Sequence, residues 1–194
     1  MIPRTWGLFE TWLAKVICGI DYVIEGSENI PEKNTIVLCK HQSTWETIAL
    51  QDILVPQTWV LKRELMWVPV FGWGLAMCKP IAIDRSAGRK ALDQVVEQGS
   101  ARIKEGIWVI IFPEGTRVAP GTRGKYQVGG AWLAVRTETP VVPVAHNAGE
   151  LWGRRAFVKR PGLVTVSIGA PIDSRSLTPD ALIRKVEDWI EGEM

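Results

Sequence analysis

Seven short apolar stretches alternate with longer amphipathic stretches along the 194-residue chain. Short runs rich in β-branched residues, such as WVIIF at 108–112, are typical of strands that are buried on both faces. The longer stretches repeat apolar residues every three or four positions, as helices do when they pack one face on a sheet. The predicted strands are 22–25, 35–39, 59–62, 80–84, 108–112, 141–145 and 164–168, and the predicted helices are 44–54, 88–105, 129–137 and 179–191.

This alternation predicts an α/β fold with a mostly parallel central sheet flanked by helices. The length is that of one domain, and no repeat, low-complexity tract or linker divides the chain. We therefore expect a single domain over residues 21–194. Residues 1–20 are predicted to form an additional amphipathic helix.

The apolar residues of this N-terminal helix, which include Trp6 and Trp12, cover about half of its circumference. Such a helix either lies in a membrane interface or packs on its own domain, and the sequence leaves both alternatives open. The longest uncharged run, 65–78, is too short to cross a bilayer and is interrupted by proline and glycine.

Composition narrows the range of partners. A formal net charge of +2 is too small to favour nucleic acid. The cysteines Cys18, Cys39 and Cys78 lie far apart without metal-ligand spacing, so we expect reduced thiols and no metal. Ten tryptophans indicate either a large core or a surface that meets lipid headgroups.

One predicted strand, 35–39, runs directly into a histidine, His41, before a helix begins. Ligand sites of α/β sheets gather at the carboxyl ends of strands, and histidine readily moves a proton near neutral pH. Glu46 follows five residues later and allows two interpretations. It either holds the imidazole in one tautomer, as in hydrolytic triads, or closes a capping box that begins at Ser43.

A second predicted strand leads into FPEGTR, residues 112–117. Proline and glycine shape a tight turn, and glycine lets backbone N–H groups approach a ligand closely. Arg117 ends this turn and Arg85 follows another strand, and the planar guanidinium matches phosphate well. A solvated surface arginine is the alternative for each, but two arginines at neighbouring strand ends favour a phosphate site.

Residues 152–161, WGRRAFVKRP, interleave four cations with aromatic residues. This composition suits an anionic membrane surface, and a solvated hairpin is the alternative. The predicted membrane contacts are Trp6, Trp12, Arg154 and Arg155.

Four segments resemble, in order and spacing, the sequence blocks of the glycerolipid acyltransferase family: HQSTWE, GWGLAMCKPIAIDR, FPEGTR and VVPVAHN. The resemblance runs from about Glu25 to the C-terminus, and its closest branch looks like the bacterial 1-acyl-sn-glycerol-3-phosphate acyltransferases. It implies that a fatty acyl group passes from acyl-CoA or acyl carrier protein to the sn-2 hydroxyl of lysophosphatidic acid. The implied product is phosphatidic acid.

The resemblance also implies roles for individual residues. His41 would be the general base, and Glu46 stands where the family usually has Asp. The third block and the arginine of the second would bind the acceptor's phosphate, and the fourth block lies on the acyl-donor side. The implied phosphate-binding residues are Arg85, Glu114, Gly115, Thr116 and Arg117, and the acyl-donor residues are Val142, Pro143 and Val144.

No cofactor is expected beyond the acyl-CoA or acyl carrier protein co-substrate. The expected partners are a lysophospholipid and an anionic membrane surface, with peripheral attachment to the cytoplasmic face of a bacterial inner membrane. Two other functions stay open: acylation of another lysolipid, such as a lyso-ornithine lipid, and phospholipid binding without catalysis. The presence of His41 argues against the second.

Overall fold

A computed structural model describes residues 2–194, so residue 1 of the predicted N-terminal helix lies outside the described residues. The strands are β1 (Ile20–Glu25), β2 (Ile36–Cys39), β3 (Gln57–Lys62), β4 (Ile81–Ile83), β5 (Trp108–Ile111), β6 (Val141–His146) and β7 (Gly162–Ile168). The helices are α1 (Ile2–Cys18), α2 (Trp45–Ile53), α3 (Phe71–Met77), α4 (Arg89–Lys104), α5 (Gly129–Thr137), α6 (Ala148–Leu151) and α7 (Pro179–Glu193).

All seven strands form one sheet in the order β1-β7-β6-β2-β5-β3-β4. The five strands from β6 to β4 run parallel to one another. β7 is antiparallel to β6, and β1 is parallel to β7. The predicted α/β fold with a mostly parallel sheet is therefore confirmed, and the ends of every predicted strand and interior helix lie within two residues of the observed ones.

The sheet separates two hydrophobic clusters, which explains why its central strands β2 and β5 are apolar without interruption. In β2, Ile36 and Leu38 belong to the cluster that α4, α5 and α7 cover. Val37 and Cys39 belong to the opposite cluster, which α1 and α2 cover. Because successive strand residues point to opposite faces, a strand covered by helices on both faces has no polar position.

α1 packs on the domain through its small residues rather than its large apolar ones. A Cβ atom on Gly7 would lie 3.0 Å from the carbonyl oxygen of Ile48 in α2, so the two helices are in close contact. Thr11 and Ala14 are buried on the same side. Six large apolar residues of α1 are 44% to 72% exposed: Trp6, Leu8, Phe9, Trp12, Val16 and Ile17. Most of the apolar half of the helix therefore does not pack on the domain.

The segment that joins β3 to β4 contains structure that the sequence pattern did not predict. A 3-10 turn at Arg63–Trp67 is followed by α3, and Gly72 of α3 lies directly against the backbone of Met66. Prolines and glycines interrupt this uncharged stretch, which hides the helical period. Within residues 2–194, no helix combines the length and the apolar character that a bilayer crossing requires.

Candidate active site

The carboxyl ends of β2, β3, β4 and β5 meet at one edge of the sheet, where the residues that follow them line a cleft of about 630 Å³. His41 follows β2, Arg85 follows β4, and Arg117 closes the turn after β5. All three line this cleft. The structure therefore brings this histidine and these two arginines, which the sequence places after strands, into one cleft.

His41 is held in a defined orientation within the cleft. Its Nδ1 atom lies 2.8 Å from Oε1 of Glu46. Its ring stacks on Phe112 with the ring centroids 4.0 Å apart. A carboxylate accepts hydrogen bonds only, so Nδ1 carries the proton and Nε2 has the free lone pair. This tautomer is the one that a general base requires.

Glu46 makes contacts that belong to both interpretations that the sequence left open. Besides contacting the imidazole, Oε1 accepts hydrogen bonds from the backbone N–H groups of Gln42 and Ser43, at 3.0 and 2.9 Å. The hydroxyl of Ser43 accepts from the N–H of Trp45, so only the glutamate half of the capping box forms. The N–H groups of Gln42, Ser43 and Trp45 are therefore engaged by side chains and are not free to bind a developing oxyanion.

The electrostatic surroundings keep Glu46 ionised. Its burial alone would raise its pKa. The neighbouring histidines, His146 and His41, and the N–H of Ser43 outweigh this effect, so the pKa lies below its ordinary value. A buried carboxylate with a lowered pKa is suited to stabilise an imidazolium.

The second histidine, His146, lies behind Glu46 and has a structural role. Its Nε2–H donates to the carbonyl oxygen of Lys40 at 2.9 Å, and its Nδ1 accepts from the N–H of Ala148 at 3.2 Å. Burial lowers the pKa of His146, although Glu46 lies 3.9 Å away and opposes this shift. His146 is therefore neutral with both ring nitrogens engaged, and His41 remains the histidine available for proton transfer.

Glu114 has a different role from the phosphate contact that the family resemblance implies. Its Oε2 accepts the backbone N–H of His41 at 2.8 Å, and its Oε1 lies 2.9 Å from Nζ of Lys40. Burial raises the pKa of Glu114, and Lys40 and the His41 N–H oppose this rise. The expected phosphate contact is therefore wrong for this side chain, since a carboxylate repels phosphate and this one holds the backbone of His41 in place.

Lys40 connects this arrangement to the C-terminal helix. Its side chain is 1% exposed, and Nζ lies 2.6 Å from Oε1 of Glu191 in α7. The hydroxyl of Tyr126 donates to the same oxygen at 2.8 Å. The sequence pattern did not indicate this network because Lys40 and Glu191 are 151 positions apart, and a lysine beside a histidine is usually exposed.

Replacing Lys40 by methionine should lower the free energy of unfolding by roughly 3–5 kcal/mol, because Glu114 and Glu191 would lose their shared cation. Urea unfolding of both forms measures this change. Lys185→Met, at an exposed lysine of α7, makes the same substitution and should change stability by no more than about 0.5 kcal/mol. If the two variants unfold alike, the buried network does not stabilise the fold.

The turn after β5 presents groups that suit a phosphate. Gly115 has a φ of +67°, which side chains rarely permit, and its carbonyl oxygen accepts a hydrogen bond from Nη1 of Arg85. Thr116 is exposed at the cleft. Nε of Arg117 is buried and has no hydrogen-bond partner among residues 2–194. An unsatisfied guanidinium nitrogen beside a cleft favours an anionic ligand.

Three further cations line the same cleft: Lys62, Arg154 and Arg155. Arg154 donates from Nη1 to the carbonyl oxygen of Arg117 at 3.2 Å. The sequence predicted Arg154 and Arg155 only as membrane contacts, and the structure also places them in the cleft that Arg85 and Arg117 line. Composition alone could not show this, because the segment folds back over the sheet edge from a distant part of the chain.

The acyl-donor residues implied by the fourth block do not reach the cleft. Val142, Pro143 and Val144 are buried in β6 between β2 and β7. None of them lines this cleft or the second one that adjoins it. A direct contact between these side chains and an acyl donor is therefore wrong, because they fill the core of the sheet.

The second cleft, of about 530 Å³, lies on the other side of the FPEGTR turn. Apolar residues of α4, including Leu92 and Val95, form one of its walls, and the start of α5 forms another. It shares Phe112, Gly115 and Thr116 with the first cleft. A mostly apolar cleft therefore adjoins the cationic one at the FPEGTR turn.

Comparison with known proteins identifies a family for this arrangement. A family model described as Acyltransferase matches residues 21–147. The 1-acyl-sn-glycerol-3-phosphate acyltransferase of Pseudomonas aeruginosa is 46% identical over 196 residues, which cover 100% of this chain and 76% of that protein. The proteins of the same name from Saccharomyces cerevisiae and Cocos nucifera are 33% and 30% identical, over 87% and 90% of this chain.

The chain spans 57% of the yeast protein and 53% of the coconut protein. Among solved structures, the fold is similar to PlsC, the 1-acyl-sn-glycerophosphate (LPA) acyltransferase from Thermotoga maritima. The TM-score is 0.81 and the sequence identity 28%, over 99% of this chain and 76% of that one. The similarity therefore extends over the whole described fold.

Proposed function

Because the chain belongs to the acyltransferase family, we propose that it moves a fatty acyl group from acyl-CoA or acyl carrier protein to the sn-2 hydroxyl of lysophosphatidic acid, giving phosphatidic acid. The observation that carries this proposal is the His41–Glu46 pair in the same cleft as Arg85 and Arg117. The names of the relatives support the same acceptor.

In the proposed reaction, His41 removes the proton from the acceptor hydroxyl. An alcohol is a poor nucleophile, and a positioned base contributes roughly 10²–10⁴-fold to the rate. The oxygen attacks the thioester carbon, and the proton held at Nε2 passes to the departing thiolate. Glu46 stabilises the imidazolium between these two steps. Since a thioester is already activated, no covalent enzyme intermediate is needed.

The cations of the cleft orient the acceptor. A phosphate held by Arg85 and Arg117 fixes which hydroxyl can reach His41, so that binding energy is converted into orientation. The adjoining apolar cleft offers space for an acyl chain beside the phosphate-binding turn. Both clefts therefore suit an amphiphilic acceptor and an acyl donor that meet at this turn.

Arg117→Ala should chiefly weaken the use of the acceptor. We expect its apparent KM to rise by about tenfold or more, since hydrogen bonds to charged groups contribute roughly 1.5–3 kcal/mol, and the KM of the donor to change much less. Steady-state kinetics in both substrates measures this. A rise confined to the KM of the donor would show that the turn binds the other substrate.

The two other functions are less well supported. A lyso-ornithine lipid has no phosphate in its headgroup, whereas the cleft places five cations around the base. Phospholipid binding without catalysis does not require an imidazole that a buried carboxylate holds in one tautomer. We therefore favour catalysis on a phosphate-bearing acceptor.

Release of free thiol from acyl-CoA, with and without lysophosphatidic acid, tests the proposal. We expect thiol release that depends on the acceptor. Release at the same rate without the acceptor would indicate a thioesterase, and the absence of release with both acyl-CoA and acyl carrier protein donors would indicate a binding protein.

We also propose peripheral attachment at the cytoplasmic face of the inner membrane. The exposed apolar half of α1 supports this, because large apolar side chains are directed away from the domain. Arg154 and Arg155 add positive charge beside the cleft, which favours anionic lipid. An enzyme at the cytoplasmic face of the membrane would have access to both proposed donors, acyl-CoA and acyl carrier protein.

Changing Trp6 and Trp12 to serine should reduce binding to anionic vesicles by about tenfold or more at every salt concentration, because apolar area is lost rather than charge. Co-sedimentation of the folded variant measures this. If the variant binds as tightly as the unchanged protein, α1 does not contribute to the membrane-facing surface.

A further inference from the structure

The segment 63–77, beside the cleft, exposes a second group of large apolar side chains. Trp67 and Trp73 are 69% and 71% exposed, and Val70 and Met77 are exposed to a similar extent. Exposed apolar residues that cluster in this way mark sites of interaction rather than ordinary surface. Trp73 and Met77 belong to the second sequence block, but the family resemblance gave a role only to the arginine of that block, and the proposed chemistry uses none of these four side chains.

The backbone of this segment is hydrogen-bonded within itself. The N–H of Gly72 donates to the carbonyl of Val68 at 2.7 Å, and that of Gly74 donates to the carbonyl of Val70 at 3.1 Å. Backbone that satisfies its own hydrogen bonds enters a medium of low polarity at little cost. The segment is therefore ordered although its largest side chains are not buried in the protein.

The side chains of the segment divide between two sides. Leu65, Phe71 and Leu75 line the cleft that contains His41. Trp67 and Trp73 do not line it and are exposed. The same short segment therefore forms one wall of the candidate active site and an apolar outer surface.

The charges next to the segment are mainly positive. Three cations, Lys62, Arg63 and Lys79, and one carboxylate, Glu64, flank the uncharged run 65–78. Arg63 and Lys79 each also form an ion pair within the protein. The guanidinium of Arg63 lies 5.9 Å from the ring centroid of Trp67. Tryptophan with flanking lysine and arginine is the composition that settles at lipid headgroups.

α1 packs on a helix, α2, that lines the same cleft. α1 contacts α2 through Gly7, beside Ile48 and Gln51, and both of these α2 residues line the cleft. The segment 63–77 contributes other parts of the cleft lining. Two elements with exposed apolar side chains, far apart in sequence, are therefore both attached to the walls of this cleft, α1 through α2 and the segment 63–77 directly.

We propose that Trp67 and Trp73 insert into the interface of an anionic bilayer and hold the opening of the cleft at the membrane surface. A lysophospholipid then passes from the bilayer along Leu65, Phe71 and Leu75 toward His41 without exposing its acyl chain to water. This inference rests on the proposed function, since it assumes that the acceptor is a membrane lipid.

Trp67→Ser with Trp73→Ser tests the inference when two acceptors are compared. One is oleoyl-lysophosphatidate in vesicles of phosphatidylglycerol and phosphatidylcholine, and the other is a short-chain lysophosphatidate kept below its micelle-forming concentration. We expect activity on the vesicle acceptor to fall by about tenfold or more, because two large apolar contacts are lost. Activity on the monomeric acceptor should stay unchanged, and Trp67→Phe with Trp73→Phe should retain most of the vesicle activity.

Val55→Ser serves as a control, because Val55 is 41% exposed and precedes β3, at the sheet edge opposite the cleft. It should affect neither acceptor. An equal loss on both acceptors after the tryptophan changes would overturn the inference, as would unchanged vesicle activity. A rise only in the KM of acyl carrier protein would likewise overturn it, and would indicate a surface that binds the donor protein.

The inference and the proposed function fail in different ways. If the unchanged protein acylates neither acceptor, the proposed function is wrong, and vesicle co-sedimentation still tests the surface. Reduced co-sedimentation of the serine variant then supports the membrane contact of Trp67 and Trp73. Co-sedimentation equal to that of the unchanged protein overturns it.

Discussion

Replacing His41 by alanine is expected to reduce kcat by roughly 10²–10⁴-fold while the protein stays folded. The imidazole is the group in the cleft that combines a free ring nitrogen with an orienting carboxylate, at 2.8 Å from Nδ1. Glu114 holds the backbone of His41 rather than its side chain, so the main chain should remain in place. Thiol release and direct binding of lysophosphatidate, both measured on the same preparation, separate catalysis from affinity.

His146→Asn is the matched control for this experiment. The asparagine amide can still donate a hydrogen bond in the region where His146 contacts the carbonyl of Lys40, so the expected loss is mainly in stability.

The His41 variant should bind the acceptor nearly as well as the unchanged protein. Activity within about tenfold of the unchanged protein would rule out His41 as the base.

Glu46→Gln should cost about 10²-fold in kcat, because the corresponding exchange in a hydrolytic triad costs up to roughly 10⁴-fold. The glutamine oxygen can still accept from the N–H groups of Gln42 and Ser43, so the start of α2 should persist. What disappears is the negative charge that faces the imidazolium. Glu97→Gln, at an exposed position of α4, makes the same chemical change and should leave the rate unaltered.

The pH dependence of stability provides a second measurement on the Glu46 variant. The pKa of Glu46 is lowered in the folded protein, so its ionised form contributes stability above its ordinary pKa. This contribution is lost as the pH falls through the lowered value. The difference in unfolding free energy between the unchanged protein and Glu46→Gln should therefore be largest near neutral pH and should shrink in acid. Full activity of the variant at neutral pH would refute the orienting role of the charge.

Much of the fold was predictable because its physical causes are local. Continuous apolar runs such as that of β5 arise where helices cover both faces of a sheet, and they are visible in the sequence. The strand-end rule then placed His41, Arg85 and Arg117 at one edge. α3 was missed because Gly72 and its neighbouring prolines and glycines break the helical period, although the segment still forms helical hydrogen bonds.

The direction of α1 could not be predicted from its own pattern. Hydrophobic periodicity identifies an apolar face but does not specify what that face contacts. The helix docks through Gly7, Thr11 and Ala14 because small residues let it approach α2 closely. The large apolar residues are consequently left on the outside, which is the reverse of an ordinary surface helix.

The ion pairs that surround the site could not be predicted from the sequence pattern either. Glu114 lies inside the recognised FPEGTR segment, and its expected role was wrong because a buried lysine, Lys40, engages its carboxylate. That lysine in turn depends on Glu191 in the last helix. Contacts between residues so far apart follow from the sheet order and leave no periodic signal.

Product analysis with an isotopically labelled acyl-CoA tests the proposed function most directly. The protein is given an equimolar mixture of lysophosphatidate and lyso-ornithine lipid, and the products are identified by mass spectrometry. We predict labelled phosphatidate with the new chain at the sn-2 position, and none with the His41→Ala variant. Labelled ornithine lipid as the main product, or phosphatidate formed equally well by the variant, would contradict the assignment of this cleft.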